Sequence, residues 1–274
     1  MDFSIKLFSA LVLSLLLTTH TYATGVPKPI LVIGASYAKG QVPFNQGLTS
    51  PLFGNAVQDG SYLDLGRQMA AYGSLFFYHI QPIINEAQAG ATTFERSGCG
   101  PTACDATYWD SYDTQLDRAI LRVKNLSDPN KPLNATHVLI SMANDCLHPN
   151  AFGVPWNSAT PCGLAEFNAM ADRFIALGQK AIANGLTPIF TKNPAYEDLD
   201  LPLFRDKFGF AWVPDEASYY LMRDTLASRI TTELPAATYL DVWSSSFNHI
   251  GDGIRPDAAS VQAAAIAILV SVYF

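Results

Sequence analysis

The alternation of strand and helix patterns in this 274-residue chain predicts an α/β fold of the doubly wound, flavodoxin-like type with a five-stranded parallel sheet. Short apolar runs alternate with longer stretches of helical periodicity, which is typical of a parallel sheet covered by helices on both faces. Hydrophobic residues make up 49% of the chain and charged residues 15%, which is enough apolar material for a large core. We therefore expect one domain over residues 24–274.

The first 23 residues are predicted to be a secretory signal peptide. Lys6 is followed by a short apolar run, and Ala23 ends a small-residue sequence that fits a cleavage site. Because the run is short for a membrane span, an uncleaved anchor is the less favoured alternative. We expect a secreted or periplasmic protein with no membrane-spanning segment after cleavage.

Five short apolar segments bounded by turn-forming residues are the predicted strands. They cover residues 29–33, part of 76–86, 137–142, 186–191 and 237–242. Pro82 limits the second strand or places it near a sheet edge, because proline has no N–H to donate to a central ladder.

Five stretches with apolar residues at helical spacing are the predicted helices. They cover residues 61–72, 114–126, 164–184, 215–234 and 257–272. Ser61 and Asp215 are the expected N-caps of the first and fourth helices. Gly73 and Gly185 are the expected ends of the first and third. Residues 193–214 are predicted to be a long loop of the kind that forms lids or binding sites.

Four cysteines in a chain that is expected to be exported predict disulfide bonds. We expect the pairs Cys99–Cys104 and Cys146–Cys162, each of which closes a local loop. The other pairings stay open, because spacing alone does not decide connectivity. A zinc site is less favoured, since no pair of His or Cys residues shows metal-ligand spacing.

Polar segments follow four of the predicted strands, and the carboxyl ends of parallel strands meet at one rim of the sheet. They are residues 34–40, 85–93, 141–145 and 251–257. Alone, the first is better explained as a polar turn. Together, the segments make Ser36 a candidate nucleophile. The backbone N–H groups of Ser36 and Gly90 and the side chain of Asn144 are candidate oxyanion donors. Asp252 is a candidate to orient a general base.

The order Gly-x-Ser-x-x-x-Gly, Ala-Gly-x-Thr, Ala-Asn-Asp and Asp-Gly-x-x-Pro resembles the sequence blocks of the SGNH hydrolases, also called the GDSL family. The resemblance implies a three-layer α/β/α fold and a secreted, esterase- or lipase-like serine hydrolase. It implies Ser36 as nucleophile and Ser36, Gly90 and Asn144 as the oxyanion hole. It implies Asp252 as the triad acid, and no metal or organic cofactor.

Two residues depart from the family pattern. Ala35 stands where the family usually has an Asp of supportive role. Arg255 stands where the family has its catalytic His, and arginine cannot take a proton because it stays charged and has no acceptor atom. Arg255 either pairs with Asp252 or Asp257, or binds an anionic group of the substrate.

His249 is the candidate replacement base. It stands three residues before Asp252, in the same loop. Gly251 and Gly253 give that loop the backbone freedom to bring the ring over Ser36. An ordinary loop histidine is the equal alternative.

Three functions remain open. The first is a serine hydrolase that acts on a small-molecule, glycan or lipid ester. The second is a catalytically impaired glycan- or lipid-binding protein, which Arg255 favours. The third is an acyltransferase on the same site. The net charge of −7 and the lack of a basic run argue against a nucleic-acid partner.

Overall fold

The computed structural model describes residues 27–40, 42–43, 57–58, 64–77, 80–99, 104–142, 145–147, 162–208, 213, 215–244 and 247–274. The strands are β1 (Ile30–Ile33), β2 (Val42–Pro43), β3 (Val57–Gln58), β4 (Ile83–Asn85), β5 (Arg96–Cys99), β6 (Cys104–Trp109), β7 (His137–Ile140), β8 (Thr187–Thr191) and β9 (Thr238–Leu240). The helices are α1 (Ser36–Lys39), α2 (Leu65–Phe77), α3 (Tyr112–Val123), α4 (Leu164–Ala183), α5 (Leu201–Phe208), α6 (Glu216–Glu233) and α7 (Ala258–Tyr273).

The central sheet confirms the predicted five parallel strands. Its order is β4-β1-β7-β8-β9, and each neighbouring pair is parallel. Ile30 is aligned with Ile83 on one side and with His137 on the other, and all four residues of β1 are fully buried. Pro82 directly precedes β4, which is an edge strand, as predicted. The next two strands of this sheet along the chain therefore lie on opposite sides of β1, with β4 on one side and β7 on the other. Doubly wound sheets bind their ligands at such a switch point.

Helices cover both faces of the sheet. On one side α2 packs against α7, and on the other α4 packs against α3 and α6. The apolar side chains of these helices and of the strands form one core cluster. This arrangement is the α/β/α sandwich that the sequence predicts.

Two predicted helix ends are confirmed by the backbone. Asp215 caps α6, because its carboxylate accepts a hydrogen bond from the Ser218 N–H at 2.8 Å. Gly185 follows α4 with a φ of +76°, a conformation that favours glycine. The predicted cap Ser61 lies outside the described residues.

The prediction that Gly73 ends the first helix was wrong, because α2 continues to Phe77. A Cβ at Gly73 would lie 2.4 Å from the Cβ of Gln81. The glycine is therefore explained by close approach of the following chain and not by a helix end.

Regular structure occurs in two stretches where no strand or helix was predicted. Residues 91–111, which include the predicted loop between Cys99 and Cys104, hold the antiparallel hairpin of β5 and β6, and the predicted loop 193–214 holds α5. Leu201 and Phe204 of α5 are buried, but a helix of eight residues is too short to show a clear period in sequence.

The bond between Cys146 and Cys162 is present, with their Cα atoms 5.7 Å apart. Cys99 and Cys104 face each other in the register of β5 and β6. Their predicted bond concerns side chains outside the described part of the structure. Among the helices that are described, none is long and apolar enough to span a membrane. The predicted signal peptide also lies outside the described residues.

Candidate active site

Ser36 lies at the carboxyl end of β1, as the first residue of α1, and is 8% exposed. The turn before it needs glycine at position 34. Gly34 has a φ of +140°, and a Cβ there would lie 1.8 Å from Ser141 Oγ. The Gly34 N–H donates to Gln115 Oε1 at 2.8 Å, and the Ala35 N–H donates to Ser141 Oγ at 3.3 Å. The end of β7 and helix α3 therefore fix the backbone that presents Ser36.

Residues 86–91 form what we call the Gly90 turn, which follows β4. Gly90 has a φ of +85°. The Gln88 N–H donates to the Gly34 carbonyl at 3.0 Å, so this turn is bonded directly to the turn that carries Ser36. The structure thus brings two of the predicted site segments together, on neighbouring strands β4 and β1.

The Gly90 turn is also held from the side of the β5–β6 hairpin. Gln88 makes two bonds to Asp110: its Oε1 accepts from the Asp110 N–H at 2.9 Å, and its Nε2 donates to the carboxylate at 3.1 Å. Trp109 Nε1 donates to the Ala89 carbonyl at 2.9 Å. The sequence reasoning missed these anchors, because a glutamine in a turn carries no signal of its partner.

The third predicted oxyanion donor, Asn144, lies outside the described residues. Ser141 and Met142 before it and Asp145 after it are buried. The position of the Asn144 amide relative to Ser36 stays a prediction.

Residues 248–257, which we call the Asp252 loop, form a closed unit that follows β9. His249 and Pro256 make an isolated antiparallel bridge. The Ile250 N–H donates to the Arg255 carbonyl at 2.9 Å, and the Asp257 N–H donates to the Asn248 carbonyl at 2.7 Å. The loop is therefore held by its own backbone.

Asp252 is fully buried, and its carboxylate is bonded within this loop. One oxygen accepts from the N–H groups of Ile254 at 3.0 Å and Arg255 at 2.8 Å. The other accepts from Arg255 Nη1 at 2.6 Å. Of the two partners that the sequence left open for Arg255, the structure selects Asp252 over Asp257. The charge of the candidate triad acid is thus balanced by the residue that stands at the family's histidine position.

His249 is turned toward its own loop. Its Nδ1 accepts hydrogen bonds from the N–H groups of Gly251 at 3.0 Å and Gly253 at 3.3 Å. These bonds imply that Nδ1 carries no proton and that Nε2 carries it in the neutral ring. In this orientation the basic nitrogen faces the loop, so a base role for His249 requires the ring to turn.

Tyr37, which the sequence reasoning did not single out, joins Ser36 to the Asp252 loop. Its hydroxyl donates to the Ile254 carbonyl. The ring packs edge-on against Trp243 at 5.6 Å between centroids and stacks on Phe247 at 6.5 Å. Burial raises the pKa of the Tyr37 hydroxyl well above its usual value, so this group stays neutral and remains a donor. The residue after the candidate nucleophile therefore positions the segment that carries the candidate acid.

In the part of the chain that the structure describes, no cluster of three or more His, Cys, Asp or Glu residues could hold a metal ion.

Several solved hydrolase structures resemble this chain. Est24, a carbohydrate acetylesterase from Sinorhizobium meliloti, aligns with a TM-score of 0.54 and 16% identity over 90% of this chain and 100% of its own. The native aryl esterase of M. smegmatis gives a TM-score of 0.53 and 15% identity over 89% of this chain and 98% of its own.

A protein described as a GDSL-like lipase from Parabacteroides merdae gives a TM-score of 0.52 and 11% identity, over 90% of this chain and 97% of its own. No protein-family model matches the chain, and no curated protein matches its sequence. At these identities the likeness concerns the fold. The chain has the α/β/α fold of the SGNH, or GDSL, hydrolases.

Proposed function

We propose that this protein is a carboxylic ester hydrolase with Ser36 as its nucleophile. The observation that carries the proposal is the placement of Ser36. It begins α1 at the carboxyl end of a central strand, on a turn that is hydrogen-bonded to the Gly90 turn. The same fold in solved structures belongs to a carbohydrate acetylesterase and an aryl esterase. We propose a small-molecule, glycan or lipid ester as substrate, and a secreted or periplasmic location.

In the proposed reaction, Ser36 Oγ attacks the ester carbonyl carbon and its proton passes to a general base. The backbone N–H groups of Ser36 and Gly90 and the Asn144 side chain stabilise the negative oxygen of the tetrahedral intermediate. The intermediate collapses, the bond to the alcohol oxygen breaks, and the alcohol leaves with the proton. Water then attacks the acyl-enzyme by the same route and releases the acid.

The proposed base is His249, with Asp252 as the group that orients it. For this role the imidazole must turn away from the N–H groups of Gly251 and Gly253, and the Asp252 carboxylate must exchange its bond to Arg255 for one to the ring. Both changes are confined to the Asp252 loop, in which Gly251 and Gly253 have φ values of +88° and +91°. Substrate that displaces Arg255 would favour the exchange.

Hydrolysis of p-nitrophenyl acetate by the full chain tests the proposal. We expect turnover by the wild type and a loss of at least about 1000-fold in Ser36→Ala, because the nucleophile is removed. We also expect a fluorophosphonate to label the wild type and not the variant. Ser127→Ala is the matched control, since Ser127 is an exposed serine on the loop between α3 and β7. Equal turnover by wild type and Ser36→Ala would refute the proposal.

The bond between Arg255 and Asp252 favours a second candidate function. Arg255 engages the Asp252 carboxylate and stands at the histidine position of the family pattern. This is expected of a protein that binds glycan or lipid on this fold without catalysis. That function predicts no fluorophosphonate labelling of the wild type, and esterase activity that appears only in Arg255→His. Labelling of Ser36 in the wild type would exclude it.

A further inference from the structure

A buried polar cluster links the chain just after the Gly90 turn to the short turn that begins at Asp145. Asp145 is fully buried and Thr93 is 4% exposed. The Asp145 carboxylate accepts from the Thr93 N–H at 2.8 Å and from Thr93 Oγ1 at 2.5 Å. Arg173 donates through Nη2 to the same carboxylate at 3.1 Å and through Nε to Thr93 Oγ1 at 2.6 Å. The Thr93 hydroxyl thus donates to one partner and accepts from the other.

This cluster joins the segment that carries Gly90 to the segment that carries Asn144. These two residues are the proposed oxyanion donors other than Ser36. Thr93 stands three residues after Gly90, and Asp145 directly follows Asn144 in the chain. Arg173 comes from the middle of α4 and lies over the Phe94 ring, 5.1 Å from its centroid. Three distant parts of the chain therefore meet at one carboxylate.

The segment around Asp145 is anchored a second time by its neighbour. Cys146 is bonded to Cys162, two residues before α4 begins. The short 3-10 turn Asp145–Leu147 is thereby tied to the beginning of the helix that carries Arg173. Asp145 ties the same turn to Thr93.

Burial of a carboxylate is energetically unfavourable, because it removes the charged group from water. Burial raises the pKa of the Asp145 carboxyl, and the hydrogen bonds from Thr93 and the charge of Arg173 act in the opposite direction. Apolar side chains of similar volume often serve stability as well or better than a buried ion pair. A role in fixing geometry explains why a charged and fully bonded group occupies this place.

We infer that Thr93 and Asp145 are positioning residues that fix the Gly90 turn against the segment carrying Asn144, and so set the geometry of the oxyanion hole. This inference rests on the proposed ester hydrolysis. It concerns neither the nucleophile nor the base. Its effect is on the stabilisation of the tetrahedral intermediate, so it predicts a change in kcat with little change in KM.

The test compares Thr93→Val with Thr93→Ser in the full chain, with p-nitrophenyl acetate as substrate. Valine has nearly the shape of threonine but removes the hydroxyl that joins Asp145 to Arg173, whereas serine keeps it. We expect Thr93→Val to lower kcat by about 10- to 100-fold, less than the loss of an oxyanion donor, with KM within about threefold. We expect Thr93→Ser to retain kcat within about threefold of the wild type.

Rates are expressed per active site, titrated with the fluorophosphonate, so that loss of folded protein does not count as loss of kcat. Gln81→Leu is the control for stability, because Gln81 is a fully buried hydrogen-bonded side chain at the opposite end of the sheet, just before β4. We expect it to lower Tm without a change in kcat. If Thr93→Val does not fold, Asp145→Asn replaces it, with the same expected loss of kcat.

The outcomes separate this inference from the proposed function. If the wild type is active and the folded Thr93→Val variant, or Asp145→Asn in its place, has the same kcat, the inference is overturned and the proposed function stands. A loss of kcat in Thr93→Ser as large as in Thr93→Val, or an equal loss in Gln81→Leu, also overturns it. A wild type that neither hydrolyses the ester nor reacts with the fluorophosphonate overturns the function and the inference together.

Discussion

At the scale of single residues, the candidate site depends on the size and the hydrogen-bonding groups of particular residues. Gly34 leaves room for Ser141, and Tyr37 joins the nucleophile turn to the Ile254 carbonyl. Arg255 forms an ion pair with the buried Asp252 carboxylate, and removal of one partner of such a pair is strongly destabilising. These residues hold the geometry on which the chemistry of Ser36 depends.

Gly34→Ala is expected to lower the free energy of unfolding by about 3 to 5 kcal/mol. The added Cβ meets Ser141 Oγ, and an L side chain at a φ of +140° is strained. Urea denaturation of both proteins measures the difference. Gly185→Ala is the matched control, because Gly185 also has a positive φ but an added Cβ there has no neighbour within 4 Å. We expect only about 1 kcal/mol for it, and an equal loss in the two variants would contradict the steric explanation.

At the scale of elements, the Asp252 loop and α7 form one structural unit. Asp257 closes the loop through its N–H and caps α7 through its carboxylate, which accepts from the Ser260 N–H and from the Ser260 hydroxyl, each at 2.8 Å. The Ser260 hydroxyl in turn accepts from the Asn248 N–H at 2.8 Å. The candidate acid is therefore held by the beginning of a helix.

Asp257→Ala is expected to destabilise the protein by about 1 kcal/mol, the usual effect of removing an N-cap. Asp257→Asn is the control that keeps a capping oxygen, and we expect it to remain within about 0.5 kcal/mol of the wild type. Thermal and urea unfolding of the three proteins provide the comparison. Equal losses in both variants would show that the negative charge, and not the cap, stabilises the helix.

The two glycines that were predicted to end helices show where local sequence reasoning reaches its limit. Gly185 does follow a helix end, in a positive-φ conformation. Gly73 lies inside α2, at a place where the chain at Gln81 approaches too closely for a side chain to fit. The absence of a Cβ serves conformational freedom in one case and close packing in the other, and sequence does not distinguish them.

At the scale of the whole molecule, the order of strands decides which polar segments can meet. With β1 between β4 and β7, the turn of Ser36 lies between the Gly90 turn and the end of β7. The Asp252 loop follows β9, at the far edge of the sheet, and reaches α1 through Tyr37. The amino ends of the strands lie at the other end of the sheet, away from the turns that carry the candidate residues. His137 lies there, as the first residue of β7.

The stability of the molecule is expected to fall as the pH drops below about 6.5, in part through His137. Burial lowers the pKa of His137 in the folded state. The unfolded chain therefore binds more protons at this position in the window just below that pH, and stability rises with pH there. In urea denaturation between pH 5 and pH 8, we expect wild type to lose stability relative to His137→Gln toward low pH. A difference that does not change with pH would contradict this assignment.

The sequence by itself determined the order of the five central strands, of five of the helices and of the segments that end at the rim, because periodicity, caps and turn residues are local properties. It also marked Ser36, Gly90, Asn144 and Asp252 as candidates by their place after strands. Only the tertiary structure decided their partners. Arg255 bonds Asp252 and not Asp257, the His249 Nδ1 faces its own loop, and Thr93 meets Asp145 across 52 residues of chain. Such contacts depend on how distant segments and loops pack in three dimensions, and residue order alone does not specify that packing.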